Sequence, residues 1–156
     1  MKLRPISGWL FTLWALMPVG ASAVESVVLT GLEQRVQQFV VAFNEQSVDR
    51  MLAMVVDDVE LLTVNADKVT ADAVGREALQ KYLASHFKSV PTARSSLNWA
   101  HATPSRVAAM ESASWQSKAG PRSQSSLSVY EFRGELIQRV YYFPAERAPA
   151  RTAASP

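Results

Sequence analysis

The stretch FVVAFNEQSVDRMLAMVVDDVELL, residues 39–62, carries two changes of hydrophobic period within 24 residues. Leu32, Val36, Phe39, Val40 and Phe43 recur on one stripe at helical spacing, so a helix is expected from Thr30 or Gly31 to the Asn44–Gln46 region. Ser47 suits the N-cap of a second helix, and Asp49 falls in its first turn, where the helix dipole favours an anion. Val48, Met51, Leu52 and Val55 would form its apolar face, and Asp57 and Asp58 are expected to end it. VELLTV then reads as a strand, NADK as a turn and VTADAVG as a second, weaker strand.

Working outward, Gly75 opens a third helix with a stripe of Leu79, Tyr82, Leu83, His86 and Phe87, stopped by Pro91. RSSLNWAHAT, RVAAMESASWQS, QSSLSVYEF and ELIQRVYYF follow as four long strand candidates, separated by PS, KAGPR and RG. Short turns between consecutive strands make an antiparallel meander. Helices first and sheet last is an α+β order in which the helices cover one face of the sheet.

The N-terminus has a different character. Lys2 and Arg4 precede the uncharged run GWLFTLWALMPVG, and Ala21 and Ala23 stand where a signal peptidase requires small residues. That is the pattern of a secretory signal over residues 1–23, with cleavage expected between Ala23 and Val24 rather than retention as a membrane anchor. The apolar run is shorter than the ~20 residues that span a bilayer. Cleavage takes Lys2 and Arg4 from the 16 basic residues and leaves 14 against 14 acidic ones. A near-neutral chain without basic runs gives no basis for nucleic-acid binding. The 156 residues include no cysteine, which excludes disulfides and thiolate chemistry, and export without disulfides suits a periplasm. Residues 24–31 are expected to be a linker, 32–144 the domain, and AERAPARTAASP within 145–156 a disordered tail.

Three stretches, taken in order, resemble the SnoaL-like group of the nuclear transport factor 2-like superfamily. FNEQSVDRMLAMVVDDVEL is similar to that family's aromatic–Asn, short-helix, paired-Asp and strand run. VGREALQKYLASHF is similar to its Gly-opened third helix, and GELIQRVYYF to its final strand. The resemblance implies a cone-shaped, curved antiparallel sheet wrapped around three N-terminal helices. It also implies an internal pocket for a small molecule and a dimer interface on the outer sheet face. No activity follows from the fold, since function resides in the site.

The best-understood chemistry on this scaffold is that of ketosteroid isomerase, with a carboxylate base, a tyrosine and a protonated acid. Aligned on the paired aspartates and the last strand, those roles fall on Thr63, Phe39 and Ser128, none of which can perform them. That argues against the isomerase mechanism and leaves other reactions open. Strand alternation from Ser128 points Ser126, Tyr130 and Phe132 inward, together with Ile137, Arg139, Tyr141 and Phe143. It adds Met110, Ser112 and Ser114, with Leu97, Trp99 and His101. The ligand-pocket candidates are therefore Thr63, Trp99, His101, Ser112, Ser128, Tyr130, Arg139 and Tyr141. The opposite set, Val107, Ala109, Ala113, Trp115, Leu127, Val129, Leu136, Val140 and Tyr142, is also apolar, which calls for a homodimer through the outer face.

Each candidate has a plainer role open to it. Arg139 could pair with Glu131 or Glu135 at a rim as readily as bind an anion. His101 suits rim packing, His86 suits the core, and two histidines without cysteine make a poor metal site. No metal and no cofactor are expected. Trp99 and Trp115 suit a core or an interface, and Asp57 and Asp58 a helix end. The serines lack a GxSxG elbow. The leading reading is an exported domain that binds a small, partly apolar molecule, one carrying an anionic group if Arg139 faces inward. The alternatives are a cofactor-free acid–base enzyme (isomerase, dehydratase or hydrolase) and a dimerisation module without ligand.

Overall fold

The computed structural model describes residues 31–145, so the expected signal segment 1–23, nearly all of the expected linker 24–31 and all but the first residue of the expected tail 145–156 lie outside the described residues. Helix α1 spans Gly31–Asn44, α2 Val48–Leu52 and α3 Arg76–Ser89. The strands are β1 Val55–Asn65, β2 Lys68–Val74, β3 Arg94–Ala102, β4 Arg106–Ser117, β5 Gly120–Arg133 and β6 Leu136–Phe143. They form one curved, open six-stranded sheet in the order β2-β1-β6-β5-β4-β3. β3 to β6 are the expected meander, and β1 joins it parallel to β6, the one parallel junction in an otherwise antiparallel sheet.

The helices lie against the concave face, α1 across β3 and β4 and α3 across β1 and β2. Val36 and Val40 of α1 and Leu79, Leu83 and Phe87 of α3 are buried, as the helical stripes require. Burial of a side chain of this size contributes roughly 1.5–3 kcal/mol relative to exposure. From the sheet, Val107, Ala109, Tyr130, Phe132, Ile137 and Val140 complete the core.

The second helix is shorter than the sequence suggests. It stops at Leu52, and Val55 opens β1, so Asp57 and Asp58 are strand residues rather than a helix end. Both side chains point to solvent. Asp58 takes two hydrogen bonds from the Arg133 guanidinium, at 3.0 and 2.9 Å, and Arg76 lies 3.7 Å from Asp57.

Three strands each carry one extra residue: Asp72 in β2, Asn98 in β3 and Gln138 in β6. A bulge of this kind shifts the in–out alternation by one position. Ile137 is inward and fully buried, but beyond Gln138 it is Val140 and Tyr142 that face inward. Leu97 is inward, but beyond Asn98 the inward residues are Ala100 and Ala102. β1 is irregular as well, between Val55 and Glu60 where it meets β6, so the period of two is interrupted in four strands, and those interruptions decide which side chains meet the helices.

Candidate functional site

Between α1, α3 and the concave face lies a cavity of about 480 Å³, within the roughly 300–1,000 Å³ usual for small-ligand sites. Its wall is mostly apolar. Phe39, Val40 and Phe43 come from α1, Leu79, Leu83 and His86 from α3, and Leu61, Val140 and Trp115 from the sheet. The Phe43 ring lies 5.7 Å from His86 and 5.2 Å from Phe87, and the Phe39 ring meets Tyr130 edge-on at 6.2 Å. Burial pushes the His86 imidazole below its ordinary pKa, so it stands neutral among these rings at neutral pH.

The polar groups form two clusters. In the first, Thr63 donates to the Asp72 carboxylate at 2.6 Å, and Asp72 is the extra residue of the β2 bulge. This carboxylate and the part-exposed Tyr82 stand on the solvent side. Nearby, Gln124 Nε2 donates to the Tyr142 hydroxyl at 3.0 Å.

The second cluster centres on Glu111. The Tyr130 hydroxyl donates to its Oε1 at 2.7 Å and Ser95 Oγ to its Oε2 at 3.1 Å. Asn44, the last residue of α1, holds Ser95 in place: its amide donates to the Ser95 carbonyl at 2.8 Å and its carbonyl accepts the Ser95 N–H at 2.7 Å. The asparagine that ends the helix thus fixes the strand that supplies a donor to the site. Tyr130 is held well above its ordinary pKa, first by burial and then by the adjacent Glu111 carboxylate, so its hydroxyl keeps its proton and acts as a donor. Ser126, opposite Glu111 across the β4–β5 pair, is buried, and its Oγ has no partner.

The two carboxylates are four strands apart in the sheet order, which at about 4.8 Å per strand is roughly 19 Å of sheet path. Among the described residues no group of three His, Asp or Glu side chains could hold a metal ion.

Of the residues named from sequence, Thr63, Ser128 and Tyr130 line the cavity. Trp99, His101, Ser112, Arg139 and Tyr141 do not, and the inward orientation expected for them is corrected. Trp99 and His101 follow the Asn98 bulge, Arg139 and Tyr141 follow the Gln138 bulge, and all four lie on the outer face. Ser112 is outward for a different reason. A two-residue turn at 118–119 pairs Ser117 with Gly120, so every even residue of β4 meets an odd one of β5. Partners across a pair share a face, so inward Ser126, Ser128 and Tyr130 bring Glu111, Ala109 and Val107 inward and leave Met110 and Ser112 outside. Arg139 donates to Glu60 at 3.2 Å and Glu131 at 3.4 Å, and Arg106 to Glu131 at 2.7 Å. The guanidinium expected to greet an anion is committed on the far side of the sheet. Glu111, Asp72, Gln124 and Tyr142 are among the lining residues that alternation alone missed, and Ala113, Trp115 and Val140, expected on the outer face, line the chamber too. Counting the two-residue turn would have found Glu111.

A six-stranded curved sheet closed on one side by helices around an apolar chamber defines the class of protein. The SnoaL-like domain family matches residues 36–140, well over half of the chain, and the protein belongs to that family. No curated protein matches it in sequence. Among solved structures it is similar to a cystatin-fold protein from Novosphingobium aromaticivorans, with 21% identity, TM-score 0.62 and coverage of 73% of this chain and 97% of that one. It is similar also to a protein from Xanthomonas campestris proposed to be a polyketide cyclase, with 21% identity, TM-score 0.56 and coverage of 72% and 89%. A third, from Catenulispora acidiphila, has a ketosteroid isomerase-like fold and is in complex with trimethylamine; identity is 14%, TM-score 0.61 and coverage 70% and 83%. These likenesses concern the fold alone.

Proposed function

We propose that this chain is an exported SnoaL-like domain that binds a small, largely apolar molecule and works as a homodimer. The observation that carries the reading is the chamber itself: an aromatic and aliphatic wall interrupted by a few fixed hydroxyls, an amide and two carboxylates. Apolar walls give affinity, and a few placed polar groups give orientation. The open volume also separates this reading from a ligand-free dimerisation module, which would fill the same space with its own side chains. Because Arg139 faces outward, it lends no support to an anionic group on the ligand. Export is supported by Lys2, Arg4, the uncharged run after them and the small residues Ala21 and Ala23. Dimerisation is supported by the sheet face that no helix covers, where Trp99 is 48% exposed beside part-exposed Met110, Leu127, Val129 and Tyr141. Native mass spectrometry with 2-naphthol tests the reading: one bound molecule per chain is expected, and an empty protein at millimolar probe would overturn it.

One observation favours catalysis as a second reading. Asp72 is hydrogen-bonded to Thr63, the residue that aligns with the isomerase base, so a carboxylate stands beside that place. An acid–base enzyme built on it would exchange the α-protons of a bound ketone with solvent deuterium. Asp72→Asn would stop that exchange, and an exchange rate no higher than that in buffer alone would remove the reading.

A further inference from the structure

We infer that the Glu111 end of the chamber is a subsite for the cationic amine of an otherwise apolar ligand. The inference rests on the ligand-binding reading above and names the ligand's charge. Glu111 is part-buried, and its partners are the neutral hydroxyls of Tyr130 and Ser95. Among the described residues no Lys, Arg or His forms an ion pair with it. The arginines that could have done so are used elsewhere: Arg106 and Arg139 on the outer face, and Arg94 on the carbonyls of Pro91 and Ala93 at the chamber's edge. A carboxylate taken out of water without a counter-charge is costly. An incoming ammonium group supplies that charge where the protein does not.

The hydrogen-bond inventory agrees. A carboxylate offers about four acceptor positions, and Tyr130 and Ser95 occupy one on each oxygen. Ser126 faces the same chamber from the neighbouring strand at 3% exposure, and its Oγ is the buried side-chain atom left without a partner among the described residues. An alkylammonium has three N–H donors. Two meet the free positions of Glu111 and one meets Ser126 Oγ, which fills the vacancy the fold leaves. The hydrocarbon body of the ligand then lies along the aromatic wall formed by Phe39 and Phe43.

The test compares three probes of one shape, 2-naphthylmethylamine, 2-naphthalenemethanol and 2-naphthoic acid, by calorimetric titration at neutral pH. The amine is expected to bind at least tenfold more tightly than the alcohol, and the carboxylate to bind most weakly. In Glu111→Gln the amine-to-alcohol ratio falls below threefold. Ser126→Ala, a smaller change in a rigid strand, weakens the amine about threefold and keeps the inference testable should Glu111→Gln fail to fold. Equal affinities for the three probes would overturn the charge assignment while leaving the chamber in place. A preference that survives Glu111→Gln and disappears in Asp72→Asn would overturn its location. If none of the three binds, the chamber reading falls, and this one with it.

Discussion

Tyr130 belongs both to the core and to the polar cluster of the chamber. It is 3% exposed, packs edge-on against Phe39 from α1, and donates to Glu111. Tyr130→Phe keeps the ring and leaves one oxygen of Glu111 without its donor, a change expected to cost about 1–3 kcal/mol. Urea unfolding monitored by tryptophan fluorescence measures it. On the outer face Glu131 offers a pH test. The Arg106 guanidinium, with Arg139 beside it, holds the Glu131 carboxyl below its ordinary value of 4.5. The native state therefore keeps this group ionised to lower pH than the unfolded chain does. Its contribution is fully present above about 4.5 and is lost as pH falls through the lowered native value. The melting temperature of the wild type should accordingly converge on that of Glu131→Gln between pH 6 and pH 3, and parallel curves would contradict the assignment. Residue roles of this kind were only partly legible in the sequence. Ser128 and Tyr130 could be placed because β5 is an unbroken alternating strand. Arg139 could not, because one added glutamine in β6 carries no apolar signature that marks it as a bulge.

At the scale of elements, the start of α3 is held by Gly75, whose backbone sits at φ +84°, ψ +158° and whose N–H donates to the Val59 carbonyl at 2.7 Å. That region is nearly restricted to glycine. An added Cβ would meet only the Asp57 carbonyl oxygen, at an ordinary 3.7 Å. Gly75→Ala is therefore expected to cost about 1–3 kcal/mol through backbone strain alone, read as a drop in the urea midpoint with an unchanged slope. The helix stripes of α1 and α3 and the boundaries of β3 and β4 were readable because the elements are long and lie between Asn, Gly or Pro signals. The second helix was overextended because Val55 continues its apolar period although it already belongs to β1. The bulges at Asp72, Asn98 and Gln138 were not readable, since each is a property of how two strands pair rather than of either strand alone.

At the scale of the whole molecule, helices cover one face of the sheet and leave the other carrying Trp99, Met110, Leu127, Val129 and Tyr141 around the Arg106–Glu131–Arg139–Glu60 network. A homodimer formed there should appear by light scattering at micromolar concentration. Val129→Glu should convert it to a monomer that still folds, and a wild type that is monomeric at every concentration would remove the interface. The chamber on the opposite face should be indifferent to that change. Ala113 gives direct access to the chamber, because it lines the wall, is only part-buried and stands in a regular pair with Gln124. The decisive measurement is a calorimetric titration of 2-naphthalenemethanol into the wild type and into Ala113→Trp, with circular dichroism establishing that both are folded. The account predicts one site per wild-type chain and at least a tenfold loss of affinity when the indole occupies the space. Equal binding by the two proteins, or none by the wild type, would contradict it.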